Sequence, residues 1–148
     1  ISETDIELNG VHCATALHRW AKAVPAVGAS TDGRAARLCE RAAHVLNGRG
    51  QINARTLTSI AWAVGKLQLD HPPLIEALCT RAASLIARDA LDSQAIANVA
   101  WAIANVKGVH TTDGELLDEI GRKASARMAA FSTQEVTNLV WAFASLKR

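Results

Sequence analysis

Tryptophan recurs in this 148-residue chain at Trp20, Trp62, Trp101 and Trp141, at intervals of 42, 39 and 40 residues, and alanine follows each one. A fixed period near 40 constrains the fold more than any single residue does. It marks a helical unit too thin to bury its own apolar face, which must therefore stack on its neighbours. The stretch from Ser93 to Ala104 aligns without a gap on that from Thr133 to Ala144. The copy from Thr56 to Leu67 keeps the apolar pattern but carries Arg55 and Ser59 where the later copies have glutamine and asparagine. The copy from Cys13 to Val24 keeps little beyond Trp20-Ala21.

The expectation is an all-α solenoid of stacked two-helix repeats of about 38–42 residues, with roughly seven helices. Residues 1–29 form a degenerate terminal half-repeat, and three helix pairs follow over about 30–69, 70–109 and 110–148. First helices are expected over 33–46, 72–87 and 114–129, and second helices around the tryptophans. Pro72-Pro73 suits a first helical turn, where a missing amide hydrogen costs little. Thr31-Asp32 and Thr112-Asp113 offer capping oxygens, as do Asp92 or Ser93, and Ser132 with Glu135 reads as a capping box. Starting at Ile1 and closing on Lys147-Arg148 behind a helical pattern, the chain is expected to be a piece of a longer array.

Each second helix carries an apolar stripe five and two residues before its tryptophan and two and five after. The stripes are Leu57, Ile60, Val64, Leu67; Ile96, Val99, Ile103, Val106; and Val136, Leu139, Phe143, Leu146. Helical spacing of this kind marks core. In the first copy the same positions hold Thr15, His18, Lys22 and Pro25, so that helix is expected at an edge without a full apolar seam. Small residues flank the tryptophans on a neighbouring stripe, which favours packing between repeats over base stacking.

Other chemistry is thin. The three cysteines show no CxxC pairing, and Cys39 and Cys79 sit in matching contexts that read as small packing positions. The five histidines are scattered without metal-ligand spacing, and no phosphate-binding glycine loop or nucleophile elbow is present. No enzyme activity, metal or cofactor is therefore expected. No apolar run approaches the roughly 18 residues of a membrane span, so no membrane insertion is expected. A net charge of +2 permits a nucleic-acid partner without demanding one.

Two surface sets could bind. A third stripe on the second helix, seven and three residues before the tryptophan and one and four after, reads Arg55, Ser59, Ala63, Lys66; then Gln94, Asn98, Ala102, Asn105; then Gln134, Asn138, Ala142, Ser145. Its amides and hydroxyls could bond base edges of single-stranded RNA around an alanine that leaves room for close approach. Asn98 and Asn138 could equally form a polar ladder between neighbouring helices. First helices supply Arg34, Arg37, Arg41, Arg81, Arg88, Lys123 and Arg127, of which Arg41, Arg81 and Lys123 fall at similar repeat positions. Stacking would line these up as a track for phosphates.

Phe131 to Glu135, Asn138-Leu139 and Trp141-Ala142 with Ala144 and Leu146 resemble the second helix of octotricopeptide repeats, relatives of the helical repeats in FAST-kinase-like and RAP-domain proteins. The copy from Ser93 to Val106 matches nearly as well, and Pro72-Pro73 resembles the opening of that family's first helix. The resemblance covers roughly residues 30 to 148, although repeat lengths vary and about three copies are present. It implies an α-solenoid that binds single-stranded RNA in mitochondria or chloroplasts and supports transcript stability, processing or translation. Related proteins serve as structural subunits of organellar ribosomes, which makes ribosomal RNA and other protein subunits the alternative partners.

Overall fold

The computed structural model describes residues 9–24, 33–48, 50, 52–106 and 114–146. Within them the chain forms helices α1 (Gly10–Ala23), α2 (Gly33–Asn47), α3 (Ala54–Leu67), α4 (Pro72–Ala87), α5 (Ser93–Asn105), α6 (Gly114–Ala126) and α7 (Thr133–Ser145), and no described residue is in a strand. A short 3-10 turn, Met128–Ala130, follows α6. The expectation for the third first helix ran to residue 129, but the helix closes at Ala126 and the chain tightens into that turn instead. Thr31, Asp32, Thr112 and Asp113, expected as caps, and Pro25 lie outside the described residues.

The starts of the second helices repeat one local device. Asn53, Asp92 and Ser132 each accept a hydrogen bond from the amide three residues on, and Ser132 with Glu135 completes the expected capping box. Each cap contributes about 1 kcal/mol. Just before each stands a buried apolar residue, Ile52, Leu91 or Phe131. It lies five positions ahead of Leu57, Ile96 or Val136, the spacing of a hydrophobic staple that sets the chain's entry angle. Pro72 and Pro73 open α4 as expected, and the cap there is the His71 ring, whose Nδ1 accepts from the Leu74 amide at 3.2 Å. At their far ends α3 and α4 close in Schellman turns, with Gln68 (φ 49°) and Asp89 (φ 54°) in the left-handed region.

Packing follows the repeat. Helices α1, α3, α5 and α7 lie side by side in one layer, and α2, α4 and α6 in a second; α1 packs on α2, α3 on α4 and α5 on α6. One continuous core runs between the layers. The stripes of α3 and α5 are wholly buried, and each completely buried leucine or isoleucine contributes about 1.5–3 kcal/mol. In α7 only Leu139 of the stripe is buried, while Val136, Phe143 and Leu146 are partly covered.

Two expectations about α1 change. The helix does bury an apolar seam, through Ala14, Leu17 and Ala21 with Val24 against the core, one residue earlier than its tryptophan would place it. The N-cap residue stands nine positions before Trp62, Trp101 and Trp141 but eleven before Trp20. Trp20 is thus out of register with the other three.

Tryptophan packing between repeats is visible at Trp101. A Cβ built on Gly65 would stand 2.8 Å from the indole Cζ3 and 2.8 Å from the Ala102 Cα, so glycine is what lets α5 close on α3. Trp62 lies beside the His18 ring of the preceding unit, centroids 4.8 Å apart. Cys13, Cys39 and Cys79 are buried and in no disulfide, and burial, reinforced by Glu40, pushes the Cys39 thiol up to about 11. A thiol raised in this way stays protonated and packs as a small hydrophobe.

Candidate nucleic-acid interface

Three grooves run between the amino-terminal halves of successive first-layer helices. The α1/α3 groove, about 460 Å³, is lined by Thr15, His18, Arg19, Asn53, Arg55 and Ser59 among others. The α3/α5 groove, about 450 Å³, is lined by Arg55, Thr58, Ser59, Asp92 and Gln94. The α5/α7 groove, about 270 Å³, is lined by Gln94, Asn98, Ser132, Gln134, Glu135 and Asn138. Arg55 and Gln94 each stand on a ridge shared by two grooves. This follows from the period, since the residue seven before the tryptophan is exposed on α3, α5 and α7, whereas its counterpart on α1, Cys13, is buried.

The base-reading stripe splits in two. Arg55, Ser59, Gln94, Asn98, Gln134 and Asn138 line the grooves, whereas Lys66, Asn105 and Ser145 line none of them. Seven helical residues, about 10 Å, separate the two sets along the axis. Lys66 sits over the Trp62 ring at 5.0 Å, and Asn105 donates to the Trp101 carbonyl at 2.9 Å. Ala63, Ala102 and Ala142 are fully buried, so the close approach they permit is that of a neighbouring helix and not of a ligand. Asn98 and Asn138 are half-buried and form no side-chain hydrogen bond among the described residues. The polar bridge between α5 and α7 is instead made by Ser93, which donates to Glu135 at 3.1 Å.

The basic track is largely occupied within the fold. Arg81 donates through Nη2 to the Gly48 carbonyl at 3.2 Å and to that of Gly50, tying α4 to the carboxyl end of α2. One repeat on, Lys123 (2.5 Å) and Arg127 both bond Asp89 beyond the end of α4. These cations complement helix carboxyl ends, where they are favoured. Arg37 reaches back to the Gly33 carbonyl at 3.2 Å, Arg41 is half-buried, and Arg34 and Arg88 are exposed.

Lys123 first, with Arg127 added, holds the exposed Asp89 carboxyl below its ordinary 3.8. A carboxylate depressed on folding adds stability above its unfolded pKa and loses it as pH falls. The stability margin of the wild type over Asp89→Asn is therefore expected to stay flat above pH ~5 and to shrink below pH ~4. Urea unfolding of both proteins from pH 3 to 7 checks this; a margin independent of pH would rule out the bridge.

Sequence reasoning missed His18, Arg19 and Asp92 as groove residues. Reading α1 in the register of Trp20 assigned His18 to a core stripe and left Arg19 without a place. Among the described residues no His, Cys, Asp and Glu cluster could hold a metal, and no helix is long and apolar enough to cross a membrane.

A layered helical array with repeated polar grooves defines an all-α helical-repeat protein. The chain is similar to a RAP domain-containing protein, chloroplastic, of Oryza sativa subsp. japonica, at 28% identity over 144 residues. The match covers 94% of this chain and 22% of that relative, so the chain spans about a fifth of its length. No family profile and no solved structure matches the chain.

Proposed function

We propose that this chain is a single-stranded RNA-binding module of an organellar gene-expression factor, chloroplastic by the name of its relative, and that it acts by binding and not by catalysis. The observation that carries the reading is the row of three grooves, whose polar lining recurs at fixed repeat positions, Arg55, Gln94 and Gln134 at one and Ser59, Asn98 and Asn138 at the other. Helical-repeat proteins read bases in this way, a few side chains per unit. Asn98 and Asn138 each bring an amide with two donors and an acceptor to the α5/α7 groove.

Fluorescence anisotropy with labelled oligonucleotides tests it. The expected result is salt-dependent binding to single-stranded RNA over duplex, with the Asn98→Ala/Asn138→Ala double variant weakened about tenfold, at the net worth of one to two hydrogen bonds. Equal affinity for duplex and single strand, or none for either, would overturn the reading.

A second reading, a structural subunit of a large organellar assembly such as a ribosome, draws on α7 and the turn before it. Val140 is 62% exposed, Met128 47% and Trp141 45%, beside an apolar groove lined by Leu139 and Phe143. Recovery of the native protein in stoichiometric amounts within a purified organellar ribosome would favour it.

A further inference from the structure

The three grooves are alike in position and unlike in charge. Arg19 and Arg55 line the α1/α3 groove, and among the described residues no Asp or Glu does. The α3/α5 groove sets Arg55 against Asp92, and the α5/α7 groove holds Glu135 with no cation among the described residues. Formal charge thus runs from two positive through zero to one negative along the row. Asp92 and Glu135 are further committed as cap and capping-box residues, so the acidity of the later grooves is built into the helix starts.

The α1/α3 groove has two more features suited to an anion. Its floor includes the start of α3, where Asn53 and Thr56 sit at the helix end that carries partial positive charge. His18, on the opposite wall, has its Nδ1 buried and without a hydrogen-bond partner among the described residues. The cap of α3 is an uncharged asparagine, whereas the caps of α5 and α7 bring the carboxylates of Asp92 and Glu135. By contrast Arg81, Lys123 and Arg127, three of the seven cations expected to bind phosphate, are spent on carbonyls and on Asp89.

We propose that the α1/α3 groove is the phosphate seat of the molecule, with Arg19 and Arg55 gripping the phosphodiester backbone of the same single strand whose bases lie along the later grooves. This rests on the RNA reading above and adds a polarity to it. The strand is held by charge at the α1 end and read by amides toward α7. Arg55, on the ridge between the first two grooves, is a backbone contact and not a base reader.

Anisotropy against salt separates the two claims. Removing one cation that neutralises a phosphate of a single strand lowers the slope of log K against log salt by about 0.7, so Arg19→Gln/Arg55→Gln is expected to flatten it by about 1.4. The weakening should be uniform across oligonucleotide sequences, and Arg19→Lys/Arg55→Lys should restore the slope. Asn98→Ala/Asn138→Ala should keep the wild-type slope and change sequence preference. Circular dichroism establishes that each variant is folded; if the double glutamine variant is not, Arg19→Gln alone, at an exposed position, should flatten the slope by about 0.7. An unchanged slope with binding retained overturns the seat and leaves the RNA reading standing. Absence of wild-type binding overturns both.

Discussion

Gly65→Val is expected to cost about 3 kcal/mol, and Gly65→Ala about 1–2 kcal/mol, the upper and lower parts of the range for overpacking a tight interface. A Cβ on residue 65 would lie 2.8 Å from the Ala102 Cα as well as 2.8 Å from the Trp101 ring. An indole can tilt away, but a backbone atom moves only with its helix, so α3 and α5 must part. Glycine inside a helix otherwise costs up to about 1 kcal/mol relative to alanine, and on propensity alone the alanine variant would gain stability. Packing must outweigh that gain for the prediction to hold. Gly10 supplies the control: its added Cβ meets the Ile52 Cδ1 at 2.7 Å, the mobile end of a side chain, so Gly10→Ala should change stability little. Urea unfolding of the three variants decides; a stabilised Gly65→Ala would show that α3 and α5 do not pack this closely.

Gly65 also shows where sequence reading reached and where it stopped. The period, the apolar stripes of α3 and α5, and the caps at Asp92 and Ser132 are local or periodic, so they follow from residue spacing alone. Trp20 kept the Trp-Ala pattern while the buried seam of α1 shifted by one residue, and the burial of Leu17 and Ala21 together with the N-cap at Asn9 exposes the slip. Trp-Ala is too short a signal to fix register where the flanking residues have diverged. The fates of Arg81 and Lys123 depend on partners about 33 residues away, Gly48 and Asp89, which no helical periodicity can pair. Likewise the alanines after Trp62, Trp101 and Trp141 looked like room for a ligand, because sequence distinguishes a small residue from a large one but not a covered residue from an open one. The grooves needed both helices of each pair in place. Their ridge residues were legible at Arg55, Gln94 and Gln134, whereas His18 and Arg19 were hidden by the false register.

Trp101 and Trp141 occupy equivalent positions in different surroundings, which makes them the sharpest test of what the tryptophans do. Trp101 is half-buried, with its ring against Gly65 and helices on both sides, whereas Trp141 is 45% exposed on the last helix. Trp101→Ala is expected to cost about 3 kcal/mol, the lower end for removing a core indole because part of the ring is already in water. Trp141→Ala should cost less than about 1 kcal/mol, since no further described helix packs on that face and little buried apolar area disappears. None of the four tryptophans lines a groove, so neither change should alter RNA binding beyond what unfolding causes. A base-stacking indole would behave otherwise, because each stacked base is worth about 1–3 kcal/mol, roughly a fivefold to 150-fold change in affinity. Trp141→Ala is the cleaner probe, being exposed enough to stack and cheap enough to remove without unfolding the chain. A large drop in affinity there, with stability intact, would turn the tryptophans from the joints of the array into part of its binding surface.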